Sequence, residues 1–430
     1  MIPTIVISII TFLLVSASIL FFPRVKIGKV AFSTYWVIAF IGALTLLFTG
    51  LAPWNEVTAQ LFSDAAINPL KIIVLFFCMT VLSIFLDEVG LFRFLANLAA
   101  AKAKNNQFVL FFILYALTAT LTIFTSNDIV ILTFTPFICF FCKNSKVNPI
   151  PYLVAEFSAA NTWSLMLLIG NPTNIYLATS ADISFFDYFK TMAIPTLCAG
   201  FIEFIVLILL FFRKLRLPLQ PHPEECHIED KPALVVGLVH LVACLGFLIA
   251  SNYLNLPMWI IALVSAASLL SIASFMGIWK HRRFVYIKES IKKLPYPLIP
   301  FFLSMFVVVV ALNSQGISGK LGEWLSHTNA IWTYGFSSFF VSNLINNIPM
   351  SILYSNMCTN KAAVYASIVG SNIGAFLTPT GALAGIMFTN LVNEHETKYS
   401  FLDFVKYGAI VSIPIMTATL FVLSLSVGIQ

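Results

Sequence analysis

Four short stretches of this sequence break long apolar runs with Asn, Thr, Gly and Pro. They are Thr125-Ser126-Asn127-Asp128, Gly170-Asn171-Pro172-Thr173-Asn174, Ser342-Asn343-Leu344-Ile345-Asn346-Asn347-Ile348-Pro349 and Thr378-Pro379-Thr380-Gly381. Proline removes a backbone donor and disrupts the preceding turn, and glycine lets backbone approach a ligand closely. The N–H groups freed at the starts of half-helices carry partial positive charge, which suits an anion or a polar oxyacid. The freed carbonyls, together with Asn and Thr oxygens, suit a small cation. Such a site binds and passes on a small ion. No Walker, G-x-S-x-G or H-E-x-x-H pattern points to chemistry performed on a substrate, and nothing in the sequence calls for a cofactor or a metal.

The candidate binding residues are Ser126, Asn127, Asp128, Asn161, Thr162, Gly170, Asn171, Pro172, Thr173, Asn174, Asn343, Asn346, Asn347, Asn372, Thr378, Pro379, Thr380 and Gly381. An ionisable group inside a membrane marks an ion or proton pathway. Asp128 is therefore the first candidate for coupling, although it could also cap the helix that follows it. Glu156, one turn from Asn161, is the second; it could face the same cavity or pair with a loop lysine. Asp87 and Glu88 end an apolar run and read as interfacial. Glu203 stands alone in another run without an obvious partner. Cys139-Phe140-Phe141-Cys142 is formally C-x-x-C, but without further Cys or His it reads as packing, and His222 and His227 read as solvated linker residues.

The elements that must hold these breaks are membrane spans. Of 430 residues 59% are hydrophobic and only 10% charged, against about a quarter charged in a soluble protein. Apolar runs of roughly 20 residues recur throughout, as a ~30 Å hydrocarbon layer requires. They lie near 2–22, 31–51, 70–87, 107–125, 129–142, 152–178, 188–212, 233–251, 257–279, 296–315, 330–345, 348–358, 362–390 and 402–429. The first reads as a retained span, because no basic region precedes it. The seven Cys lie mostly within apolar runs and imply no disulfide framework.

Residues 348–358 are too few to cross, and 107–125 is separated from 129–142 only by Ser126-Asn127-Asp128. Both 107–142 and 330–358 therefore read as re-entrant hairpins. With two hairpins and ten full spans, only Lys71, Lys190, Lys320 and Lys361 fall on one side, and all other Lys and Arg fall opposite. The excess side is cytoplasmic by the positive-inside rule, which puts both termini outside. The +6 net charge, confined to short loops, is a topology signal and not a nucleic-acid footprint.

The order of features repeats. Ser184-Phe185-Phe186-Asp187-Tyr188-Phe189-Lys190 matches Ser400-Phe401-Leu402-Asp403-Phe404-Val405-Lys406, and Pro195 and Pro414 follow. Asn127-Asp128 and Asn346-Asn347 precede them at nearly the same offset. The expected fold is an all-α membrane protein of ten transmembrane helices plus two re-entrant hairpins, in two inverted-topology repeats. The first repeat is 1–215, with hairpin 107–142 and broken span 152–178. A Pro-rich cytoplasmic linker covers 216–232. The second repeat is 233–430, with hairpin 330–358 and broken span 362–390.

Phe85-Leu86-Asp87-Glu88-Val89-Gly90-Leu91-Phe92, the Asn127-Asp128 tip, Asn346-Asn347-Ile348-Pro349, and Tyr365 through Gly385 with Gly370, Gly374, Thr378-Pro379 and Gly381-Ala382-Leu383-Ala384 resemble motifs of the arsenical-pump permease and NhaD-type antiporter superfamily. That superfamily also includes citrate and dicarboxylate carriers, and the resemblance covers nearly the whole chain. Asn161-Thr162 departs from the Asp-Thr of arsenite permeases, and Gly170-Asn171-Pro172-Thr173-Asn174 is nearer the wider superfamily's G-x-P-x-N. The Ser-Asn-Thr tips of dicarboxylate carriers are absent.

The resemblance implies a homodimer in the lipid of the plasma (inner) membrane, working as an elevator. The substrate expected is a small inorganic ion or oxyacid, foremost arsenite or antimonite exported against protons. A sodium/proton antiporter or a dicarboxylate/citrate carrier is the alternative, and the coupling ion is a proton or sodium. Asn127, Asn171, Asn174, Asn346, Asn347, Asn372 and Thr378 would supply hydrogen bonds, and Asp128 would couple protons. Whether an ATPase subunit docks on the cytoplasmic loops is left open by the sequence, as is a membrane anchor or receptor role without flux.

Overall fold

Backbone polar groups in an apolar run find partners only within the run itself, so the runs become helices. The computed structural model describes all residues except 23, 28, 29, 64–67, 220–227, 229, 280–284, 328, 429 and 430. The helices of the first half are α1 (Ile2–Phe21), α2 (Thr34–Phe48), α3 (Trp54–Leu61), α4 (Pro69–Glu88), α5 (Leu91–Ala103), α6 (Gln107–Phe124), α7 (Asn127–Asn144), α8 (Ile150–Trp163), α9 (Pro172–Ser180) and α10 (Phe185–Leu215). Those of the second are α11 (Lys231–Ile249), α12 (Ser251–Leu254), α13 (Met258–Trp279), α14 (Val285–Lys292), α15 (Leu298–Ser314), α16 (Ile317–Ser326), α17 (Ala330–Ile345), α18 (Asn347–Ser355), α19 (Lys361–Gly374), α20 (Leu383–Glu394) and α21 (Phe401–Gly428). His222, His227 and most of the expected linker lie outside the described residues.

Among the described residues, seven helices are long and apolar enough to cross a membrane, or eight if α15 and α16, bent by 79°, count as one. The chain is all-helical as expected, apart from one small antiparallel pair of strands, Arg24–Ile27 (β1) and Val30–Ser33 (β2), with Arg24 opposite Ser33. The run at 31–51 consequently yields only a 15-residue helix, about 22 Å long. The breaks fall where Asn, Gly and Pro predicted them, after Phe124, Trp163, Ile345 and Gly374. Helices α3, α5, α14 and α16 occupy segments read as loops. They are 8 to 13 residues long with one apolar face, below the length that a span signal detects.

The repeated S-F-x-D motif has a local cause. Ser184 Oγ accepts the Asp187 N–H at 2.9 Å and donates to the Asp187 carboxylate at 2.7 Å. Ser400 and Asp403 make the same pair of bonds at 3.1 and 2.6 Å. Each is a variant of the capping box, and it starts one of the two longest helices, α10 and α21, which then pack along each other. Ser400→Ala should lower stability by about 1 kcal/mol, read as a reduced midpoint of thermal unfolding in detergent, and Ser184→Ala should match it.

Packing between the halves is reciprocal. Hairpin arm α7 lies against α20, and hairpin arm α18 lies against α9. Each of these helices thus rests on the helix that follows the break in the other half, α20 for α7 and α9 for α18. The open end of α6–α7 sits beside the end of α10, where Gln107 Nε2 donates to Leu217 O at 2.9 Å. The open end of α17–α18 is tied together by Tyr334 Oη, which donates to Met357 O at 2.6 Å. The neighbouring start of α19 reaches the start of α10 through Tyr365 Oη and Asp187 O, 3.4 Å apart. Helix α10 has 31 residues, about 46 Å, so the two hairpins open at opposite ends of it.

Candidate functional site

At the first tip, α6 stops at Phe124 and α7 starts at Asn127. Ser126 occupies the N-cap position without a side-chain cap, and its buried Oγ has no partner. Asn127 Oδ1 accepts the Asp128 N–H at 2.9 Å, and Asn127 Nδ2 donates to Asn161 Oδ1 on α8 at 3.1 Å. The carboxylate of Asp128 therefore does not cap α7. It is partly exposed and makes no ion pair among the described residues.

At the second tip, Asn346 takes a left-handed backbone conformation with φ of 74°. Such strain is tolerated where the surroundings fix it. Here Asn346 Nδ2 donates to Thr380 O at 3.0 Å, and the Asn347 N–H donates to Gly381 O at 3.0 Å. Asn343 Nδ2 donates to Gly374 O at 2.9 Å, and Thr378 Oγ1 donates to Asn343 Oδ1 at 2.6 Å. The second tip is thus stitched to the break between α19 and α20.

The two breaks meet at Asn372. Its Oδ1 accepts from Ser164 Oγ at 2.8 Å and from Asn171 Nδ2 at 3.0 Å, and its Nδ2 donates to Asn174 Oδ1 at 2.7 Å. Asn171 Oδ1 in turn accepts from the Thr173 N–H and hydroxyl, both at 3.1 Å. The strand of backbone between α8 and α9 folds so tightly that a Cβ on Gly170 would lie 2.3 Å from Ser164 O. Gly170→Ala should therefore displace Ser164 from Asn372 and lower both the unfolding midpoint and transport. A variant indistinguishable from wild type would show that this turn can give way.

Asn127, Asp128, Asn171, Pro172 and Asn347 line one small cavity, closed by Leu298, Ile348 and the Ala382-Leu383-Ala384 segment. Its volume is about 10 Å³, roughly what a single water needs. Asn347 Oδ1 is buried and has no partner. Among the described residues no lysine or arginine lines the cavity. Asp128 also lines a larger cavity of about 270 Å³, with Tyr35, Thr80, Leu132, Lys293, Met387 and Asn390 among its walls. A third, of about 330 Å³, shares Leu132 and Lys293 with it and adds Asp87, Arg93 and His395. Asp128 thus lines both the small cavity and the larger one beside it. Lys293, in the wall of the larger cavity, is ion-paired with Glu88.

The expected residues divide accordingly. Asn161, Thr173, Asn174, Asn343, Asn346, Asn372, Thr378, Thr380 and Gly381 buttress the cavity from behind. Thr162 and Glu156 are absent from its lining. Glu156 is buried on α8 and accepts from Thr135 Oγ1 on α7 at 3.2 Å. Pro379 lies beside Gly385, at whose position a Cβ would approach Pro379 O to 2.5 Å. Sequence reasoning missed Leu298 and Tyr35, which are ordinary apolar-run residues, and Ala382 to Ala384, which directly follow the Thr-Pro-Thr-Gly break.

Comparison with known proteins places this arrangement. The profile of the CitMHS family, described as citrate transporter, matches residues 27–367. The arsenical pump membrane protein of Escherichia coli (strain K12) is 26% identical over 372 residues, covering 81% of this chain and 85% of that protein. The arsenical pump membrane protein of Yersinia enterocolitica is 24% identical over 376 residues, covering 82% and 86%. The solved structure of the Alcanivorax borkumensis YdaH transporter has the same fold, with a TM-score of 0.58 over 99% of this chain and 98% of that one at 13% identity.

Proposed function

Because the chain belongs to the CitMHS citrate transporter family, within the wider set of arsenical-pump-type ion transporters, we propose that it is a secondary carrier that exports arsenite or antimonite in exchange for protons. The observation that carries this reading is the cavity between the tips. Amide side chains and a carboxyl line it, and among the described residues no cationic side chain does. Arsenous acid is uncharged at neutral pH and both donates and accepts hydrogen bonds. Asn127, Asn171 and Asn347 suit such a molecule. Asp128, which lines both this cavity and the larger one beside it, carries the proton.

The transport cycle follows an elevator. Ten spans in two inverted repeats, 1–215 and 233–430, hold hairpins that enter from opposite faces and meet near the midplane. The opposed hairpin ends and the reciprocal packing of α7 on α20 and α18 on α9 support this plan. The end of α7 lies beside the α20–α21 loop, where Lys143 and Glu396 pair at 3.8 Å; this fits the positively charged face being cytoplasmic in the inner membrane. The working unit is a homodimer.

The family description favours citrate as a second reading, against which stands the want of a cationic partner in the cavity lining. Uptake into everted vesicles under an imposed pH gradient, with arsenite, antimonite, citrate and sodium compared, separates them. Metalloid accumulation that dissipates the gradient supports export. Citrate or sodium movement without metalloid movement overturns it.

A further inference from the structure

Glu203, on α10, is fully buried at a distance from the cavity between the tips, and nothing in the transport scheme above uses it. Its surroundings are polar. Tyr115 Oη, from α6, lies 3.2 Å from Glu203 Oε2, and the Ser158 and Thr162 hydroxyls of α8 face the carboxyl group. Glu203 Oε1 has no hydrogen-bond partner, and neither do the buried hydroxyls of Thr118 and Thr162. Thr118 follows Tyr115 at the spacing that puts both on one face of α6. Among the described residues no cation pairs with Glu203, and Tyr115 is the titratable side chain facing it.

An unpaired ionised carboxylate at this depth costs several kcal/mol, so a charged Glu203 needs compensation. Tyr115 can supply it in one of two ways. Its oxygen lies 2.7 Å from Gly200 O, the shorter of its two acceptor distances, so its single proton points there, while Trp163 Nε1 donates to the phenol oxygen at 3.1 Å. With the tyrosine proton on Gly200, the 3.2 Å contact to Glu203 joins two acceptors unless Glu203 carries a proton of its own. With Glu203 ionised, the tyrosine proton must swing to it and abandon Gly200. A cation in place of the proton would need several oxygens around it. The cavities described above do not include Glu203 in their walls, and a proton requires no such space.

We propose that Glu203 and Tyr115 form a second proton-carrying site of the transporter, linked to the substrate site through the end of α8. The proposal rests on the carrier reading above. Thr162, which faces Glu203, directly follows Asn161, which holds the first tip, and lies two residues before Ser164, which holds Asn372. The close fit of Trp163 against Gly200, where a Cβ would meet the indole at 2.3 Å, fixes this end of α8 on α10. Because the two helices are fixed together here, a change in the Glu203–Tyr115 contact acts on Thr162 and through it on its neighbours Asn161 and Ser164, so protonation and tip position are tied.

Two measurements on the full chain test this. In proteoliposomes, Glu203→Gln should lose the response of metalloid flux to an imposed pH gradient. A response equal to wild type overturns the second site while leaving the carrier reading in place. If wild type moves no metalloid, the carrier reading falls, and infrared titration decides Glu203 by itself. Protein bearing Asp128→Asn and Glu156→Gln, which removes the buried carboxyl group of α8, should show a carboxylic acid C=O band that disappears on raising the pH, and this band should be missing when Glu203→Gln is added. A band that never titrates, one that persists after Glu203→Gln, or no band at all overturns the proposal.

Discussion

Asp128→Asn is expected to abolish pH-driven transport while the protein remains folded and inserted. The amide has the shape of the carboxyl group but cannot carry a proton. The substitution breaks no ion pair, because Asp128 has none among the described residues, and it removes no cap, because Asp128 does not cap α7. A negative charge in the first turn of a helix contributes about 0.3–1 kcal/mol, so the loss of stability stays within that range. Initial rates in everted vesicles and thermal unfolding of the purified variant measure the two effects separately. Transport at the wild-type rate would remove Asp128 from the coupling mechanism.

Asn372→Leu is expected to have the largest structural effect of any single change at the site. One buried amide serves Asn171 and Asn174 at 3.0 and 2.7 Å, and leucine serves neither, whereas Ser164, 2.8 Å from the same amide, keeps Asn161 O at 2.7 Å. Each buried polar group left unpaired costs about 1–3 kcal/mol. The two are coupled and their costs do not simply add, but a loss of about 2 kcal/mol or more is expected. The measurement is the thermal unfolding midpoint in detergent, with Asn372→Ala as the comparison, since the smaller side chain leaves room for water. A midpoint unchanged in both variants would mean that the two broken spans are held by packing alone.

Much of this was legible in the sequence because lipid enforces a strict rule. A run of apolar residues must be helical, and a helix that stops inside such a run must have a reason in its residues. Asn127, Asn171, Asn346 and Thr378 gave that reason, and the helices end within a few residues of each. The repeated Ser-Phe-x-Asp was legible as a repeat, and its cause, a cap, is local enough to follow from spacing. The hairpin of β1 and β2 was not legible, since Val30 to Ser33 continue the apolar run of α2 without a turn residue at their boundary. Nor was the pairing of Glu203 with Tyr115, 88 positions apart. Sequence showed an isolated carboxylate, and only the approach of α6 and α8 to α10 supplied its neighbours. For Asn372 the residue type was noticed but its role as the junction of two breaks was not, because its three partners all come from the other half of the chain.

The cavity between the tips, at about 10 Å³, cannot hold an oxyacid as it stands. A ligand therefore binds only a form in which the tips have parted, and its apparent affinity is its affinity for that form scaled by how often the form occurs. Dissociation constants ranked across ligands consequently compare contacts, because the scaling is common to all. Ranked across variants, they compare the ease of parting. A substitution that weakens the stitching of Asn343 or Asn346 to the α19–α20 break can thus tighten binding while it slows turnover, and selection of variants by affinity would then retain the slower carriers.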